Sequence, residues 1–136
     1  MILERIPQRA QEDCAISAIA MVLRYSYERV QTDRVRFSQF DDKIAWWEAC
    51  LLEQGHPCEY RPLSDIYLVQ TAGATVVGLI VLQNYWMQAA HIVAIDEVGV
   101  LDPSDGLPDH MAWSTYCNQR QRQGFIFESD FLVVTM

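Results

Sequence analysis

The stretch Cys14-Ala15-Ile16-Ser17-Ala18-Ile19-Ala20-Met21-Val22-Leu23 carries no charged residue and a single hydroxyl. Its apolar residues fall on nearly every face of a helix, so a helix here must be surrounded by protein on all sides. The spacing predicts a helix from about Asp13 to Tyr27. That demand requires a fold thick enough to bury a helix at its centre. A chain of 136 residues can supply it without disulfide or metal staples. The helix opens on a cysteine, and Gln8-Arg9-Ala10-Gln11-Glu12-Asp13 leads into it.

Half of the chain, 51%, is apolar and 21% is charged, the balance of a globular protein. A formal charge of −8 disfavours nucleic acid or an anionic membrane as partner, because phosphate binding needs a clustered basic surface. Arg34-Val35-Arg36 and Arg120-Gln121-Arg122 are the densest basic spots and read as solvated faces. No apolar run reaches the roughly 18 to 20 residues of a membrane-spanning helix, and Met1-Ile2-Leu3-Glu4-Arg5 lacks the layout of a signal peptide. The expected compartment is therefore the cytoplasm, with Cys14, Cys50, Cys58 and Cys117 reduced. Cys50, His56 and Cys58 lack a paired knuckle and a fourth zinc ligand, so neither metal nor cofactor is expected.

Without repeats or linkers, residues 1–136 read as one domain. A second helix is expected from about Asp41 to Gln54, stopped by Gly55, and a short strand over Pro57 to Arg61. Thr75 to Leu82, Ala90 to Asp96, Val98 to Leu101 and Phe131 to Thr135 read as strands, with another near Tyr67 to Gln70. Met111 to Gln123 reads as a helix closed by Gly124. Helices first and a largely antiparallel sheet second is an α+β order, with one buried helix laid against the sheet.

A thiol on the first turn of a helix feels the positive end of the helix dipole and unpaired N–H groups, which favour the nucleophilic thiolate. Gln8 lies far enough upstream for its amide NH₂ to fold back and share an oxyanion hole with the Cys14 N–H. Glu12 and Asp13 oppose ionisation of the thiol unless they turn away, as Asp13 does if it caps the helix. On the paired strands, a two-residue turn at Asp96-Glu97 sets His91 opposite Asp102, where a carboxylate can orient an imidazole. A turn at Glu97-Val98-Gly99 sets it opposite Asp105 instead. Asp102 is the favoured partner and Asp105 the reserve.

Gln8, Cys14 with Asp13 in front, the Ala/Ile-rich helix ending Met21-Val22-Leu23, His91-x-Val93 and Asp102-Pro103 together resemble the bacteriocin-processing cysteine peptidases. Those double-glycine leader peptidases are usually fused to the N-terminus of ABC transporters. The resemblance runs from about residue 6 to 104 on short motifs, and implies a papain-like fold. It also implies Cys14 as nucleophile, His91 as general base and acid, Asp102 as its orienter and Gln8 as oxyanion donor. The sequence departs from the family at Ala15, generally glycine there, and at Ile92, where an aromatic residue is frequent. The strands bearing His91 and Asp102 are also joined tightly, and no transporter follows.

The expectation is a stand-alone papain-like cysteine peptidase acting on a peptide or protein. The alternative is a non-catalytic papain-like module that binds a peptide or a partner protein. Asn84, Tyr85 and Trp86 precede His91 and are expected to line a substrate groove. Of the adjacent Trp46 and Trp47, one is expected in the core and one at its rim.

Overall fold

The computed structural model describes residues 2–9, 13–37, 46–71, 75–87, 89–104 and 107–136. Among the described residues there are five α-helices: α1 (Cys14–Leu23), α2 (Tyr27–Phe37), α3 (Trp46–Glu53), α4 (Tyr67–Thr71) and α5 (Trp113–Arg122). Six strands, β1 (Cys58–Pro62), β2 (Val76–Asn84), β3 (Ala89–Ile95), β4 (Val100–Leu101), β5 (Ile126–Phe127) and β6 (Asp130–Thr135), form one sheet. Its order is β1-β6-β2-β3-β4, every pairing is antiparallel, and β5 pairs with β2 beyond the end of β6. The expected α+β class is what the chain adopts.

The apolar run at the N-terminus does become the central helix. Ile16, Ala18, Ile19, Ala20, Met21 and Val22 are all sealed from solvent, and the larger of these side chains each contribute about 1.5–3 kcal/mol through burial. They pack with Tyr27 and Val30 of α2, Cys50 and Leu51 of α3, and one sheet face made of Val77, Leu79, Ile92, Ala94, Leu132 and Val134.

The sheet is covered on both faces, not one. Ile80, Leu82, Val93, Ile95 and Phe131 form a second core with Ile66 and Val69 near α4 and Tyr116 of α5. The cause is written in β2 and β3, whose near-continuous apolar runs fit strands buried on both sides. Tyr67 to Gln70, expected as a strand, is instead the short helix α4, which places Val69 into this second core. The predicted first helix ends early at Leu23, Arg24 taking a left-handed conformation with φ 57°, and a separate α2 follows. Gly55 and Gly124 both have positive φ, 82° and 88°, as helix-terminating glycines do. The expected second helix is seen from Trp46; its first residues, from Asp41, lie outside the described residues. Among the described residues no helix is long and apolar enough to cross a membrane.

Candidate active site

Cys14 opens α1 and lies where β3 has lost its outer neighbour. Among the described residues, β4 pairs with β3 only at Ala94 and Ile95, which leaves the β3 edge before Ala94 without a paired strand. There the Ile92 N–H donates to the Cys14 sulfur, as does the Ala15 N–H of the helix's own first turn, and the His91 ring hydrogen-bonds it as well. Burial opposes ionisation of the sulfur, but these three contacts outweigh it and hold the thiol below its ordinary 9.0.

His91 uses its other side for a carboxylate. Its Nε2 lies 2.7 Å from Oδ1 of Asp102, both side chains being buried. That leaves Nδ1 as the nitrogen for sulfur. Burial disfavours the imidazolium, yet Asp102 and Cys14 stabilise it more, and the pKa rises from 6.5 to about 9. A lowered thiol beside a raised imidazole favours the thiolate–imidazolium form of the pair.

The strand register that achieves this differs from both expected alternatives. Ile95 faces Val100 and Ala94 faces Leu101, with the Asp96 N–H donating to Gly99 O at 3.1 Å. Continued along the strands, this register sets Ser104 opposite His91 and makes Asp102 the diagonal neighbour. Ser104 Oγ is indeed 3.2 Å from His91 Nε2, while Asp102 reaches the same nitrogen from the diagonal. The turn holds this way because Asp96 is fully buried, its Oδ1 accepting from the N–H groups of Val98 and Gly99. Its Oδ2 accepts from the Leu3 N–H and from Nε2 of His110, both at 2.8 Å. Asp105, the reserve partner, lies outside the described residues.

Asp102 is held from four directions. Besides His91, its Oδ1 accepts from the Ser104 N–H at 2.8 Å; its Oδ2 accepts from Tyr116 Oη and Arg120 Nη2, each at 2.5 Å. Burial would raise its pKa, but these bonds hold the carboxyl well below the usual carboxylate range. Tyr116 and Arg120 sit one helical turn apart on α5, a spacing that puts both on one face. Tyr116 was not singled out from the sequence, and Arg120, expected on a solvated face, is instead turned inward onto the buried Asp102 carboxylate. Arg5 adds a clasp on the backbone, its Nε donating to Asp102 O at 2.8 Å and its Nη2 to Ser104 O.

Gln8 is half-buried, and its N–H donates to Pro103 O at 2.9 Å, which fixes Gln8 beside the Asp102 turn. Asp13 does turn away from the sulfur, though not by capping: its side chain makes no cap bond. It accepts from Tyr27 Oη instead and stands 3.7 Å from Arg34. Glu12 lies outside the described residues.

A cavity of about 300 Å³ opens over the sulfur, lined by Cys14, Ala15, Trp47, Val81, Ala90, His91, Ile92 and Glu128. A second, of about 490 Å³, adjoins it at Glu128 and is lined by Tyr60, Gln83, Tyr85, Ser129 and Asp130 as well. Of the three expected groove residues, only Tyr85 lies there. Asn84 is buried, its side chain bonded to Gln123 O and to the N–H groups of Trp86 and Met87, so it shapes the β2–β3 turn. Trp86 stands at the tip of that turn, 94% exposed, and lines neither cavity. Trp46 and Trp47 are both half-buried against the α1 core, and only Trp47 reaches the groove.

All four cysteines are free thiols. Among the described residues no three His, Cys, Asp or Glu side chains gather as metal ligands would.

No sequence model of a protein family matches the chain, and no curated protein matches it in sequence. Solved structures do match in shape. One is a double glycine motif protease from an AMS/PCAT transporter in complex with the leader peptide: 16% identity, TM-score 0.59, 99% of each chain covered. Another is the peptidase domain of Streptococcus ComA, a bi-functional ABC transporter involved in a quorum sensing pathway: 14% identity, TM-score 0.57, 97% of each chain covered. The chain therefore has a papain-like fold, the one these double-glycine peptidase domains share.

Proposed function

We propose that this chain is a cysteine peptidase of the papain-like type, acting as one domain on a peptide or protein substrate. The observation that carries the reading is the sulfur–imidazole–carboxylate line Cys14, His91, Asp102, with Nε2 of His91 2.7 Å from Asp102 and the ring's other side given to the sulfur.

In this reading the Cys14 thiolate attacks the scissile carbonyl carbon, and the electron pair of the C=O bond moves to oxygen. The Cys14 N–H and the Gln8 amide stabilise that oxyanion; one such donor is worth about 10²–10³ in rate. The intermediate collapses, the C–N bond breaks, and the His91 imidazolium gives its proton to the leaving amine. A water then attacks the thioester while neutral His91 takes its proton. The acid departs, and thiolate and imidazolium are restored. Asp102 keeps the ring oriented and its charge compensated throughout.

Two similar folds are named as double glycine or transporter-linked peptidases, so peptides with a Gly-Gly pair before the cut are the first substrates to try. Internally quenched Gly-Gly peptides and a mixed peptide pool are incubated with the protein and with Cys14→Ala. Cleavage by the first and none by the second is expected. Binding of a peptide by both, with turnover by neither, transfers the domain to the non-catalytic alternative.

A further inference from the structure

On the edge of β2 opposite β3, Leu82 pairs with Phe127 and Leu79 pairs with Leu132. Ile80 and Val81 therefore stand against the whole stretch Glu128 to Phe131, and the surplus residues form a bulge between β5 and β6. Bulges re-aim side chains and are frequent beside functional sites. Here the Glu128 N–H still donates to Val81 O at 3.0 Å, and Leu63 N–H donates to Ser129 O at 2.7 Å, so the bulge is fixed. It sends Glu128 to the face of the sheet that carries Cys14, at the junction of the two cavities.

The far cavity combines two kinds of wall. Tyr60 and Tyr85 supply aromatic rings, both more than half exposed, and the Tyr60 hydroxyl is tethered to Glu48. Glu128 and Asp130 supply carboxylates. Glu128 accepts a hydrogen bond from a neutral group, Gln83 Nε2, at 2.7 Å. Neither cavity is lined by any Lys or Arg among the described residues. Aromatic rings beside uncompensated carboxylates are the chemistry that holds the stem and head of a basic side chain.

We propose that this far cavity is a subsite for a Lys or Arg side chain of the substrate close to the scissile bond. The closeness follows from the shared wall: Glu128 borders both this cavity and the one that holds the sulfur. The inference rests on the peptidase reading and adds to it the charge of the peptide.

The test is a positional library of internally quenched peptides in which each site flanking the cut is Lys, Arg, Gln or Glu. At one flanking site, Lys and Arg are expected to exceed Glu by about tenfold or more in kcat/KM, a preference that shrinks as salt is added. Glu128→Gln is expected to erase most of the preference and Glu128→Lys to invert it. Glu4→Gln removes an equal charge beside the C-terminal end of α1 and is expected to keep the preference. Cleavage with no charge preference at any site, or a preference untouched by Glu128→Gln, overturns the subsite while leaving the peptidase standing.

If no library member is cleaved, the Cys14→Ala protein is titrated with fluorescent Lys and Glu versions of one peptide. Tighter, salt-sensitive, Glu128-dependent binding of the Lys version supports the subsite, and equal binding overturns it. That arm separates failure of the subsite from failure of the catalytic reading.

Discussion

Nη2 of Arg120 stands 2.5 Å from Oδ2 of Asp102, on the carboxylate oxygen that His91 does not use. Tyr116 shares that oxygen, and Arg120 Nε lies 3.3 Å from the Tyr116 hydroxyl. A buried carboxylate facing only an imidazole titrates with it; one that also faces a guanidinium stays anionic whatever the ring does. Arg120→Ala is expected to strip this second counter-charge, costing about 3–5 kcal/mol, as breaking buried pairs does. Tyr116→Phe should cost about 1–3 kcal/mol, since the hydroxyl has a charged acceptor. Urea unfolding measures both. Arg120→Lys should restore part of the stability and of the pH profile, and a variant with unchanged stability contradicts the account.

The pH dependence follows from the signs of the shifts. The thiol of Cys14 is lowered from 9.0 and the imidazole of His91 is raised to about 9, so the active pair exists between the two. Peptide cleavage should rise with pH as Cys14 ionises and fall through about 9 as His91 loses its proton. Asp102→Asn removes the largest contact that raises His91, so its descending limb should move towards 6.5 and its kcat should drop about 10²–10⁴-fold. Stability carries the same signature. The contribution of His91 is full below its ordinary 6.5 and is lost as pH climbs through about 9. That of Asp102 is present above 3.8 and lost in acid. A pH–rate profile with no descending limb near 9 removes the raised imidazole from the mechanism.

Thiol reactivity separates Cys14 from the rest. Burial pushes Cys117 up to about 11, and burial with the nearby Glu48 charge does the same for Cys58. At neutral pH such thiols are ionised in about one molecule in 10⁴. Cys50 is sealed from solvent. Iodoacetamide at neutral pH should therefore modify Cys14 first, through the cavity above it, and His91→Ala should slow that reaction towards the rate of the other thiols. Peptide mapping reads the order directly, and equal, slow labelling of all four cysteines contradicts it.

How much of this was legible in the chain depended on whether the information was local. The buried helix was, because ten uncharged residues leave a helix no solvated face. The nearness of His91 and Asp102 was reached too, but from a hairpin register that the structure does not have. The register of that hairpin was not, because Asp96 fixes the turn through Leu3 and His110, contacts made far along the chain. Asn84 looked like a groove residue from its place before His91, yet its amide satisfies a turn, the ordinary use of an Asn side chain. Tyr116 was hidden and Arg120 misplaced on a solvated face for a like reason: a helix face has no meaning until the sheet beneath it is known. Glu128 was hidden by its bulge, which sequence periodicity does not reveal.

The same turn yields a last expectation, one that distinguishes two glycines. A Cβ placed on Gly99 would lie 2.3 Å from the Met111 carbonyl oxygen, a backbone atom that also accepts from the Val100 N–H at 2.7 Å. Gly99→Ala must therefore part Val100 from Met111, and Asp102 lies on the same short run of chain. A stability loss of about 1–3 kcal/mol is expected, as for overpacked sites, with a fall in kcat because Asp102 shifts against His91. Gly55 has open space around it, and only its φ of 82° resists a side chain. Gly55→Ala should cost about 1 kcal/mol of stability and leave kcat unchanged, since α3 ends there away from His91. Thermal unfolding and steady-state rates on the two variants make the comparison. Equal effects on kcat would mean that the turn at Gly99 does not govern the position of the carboxylate.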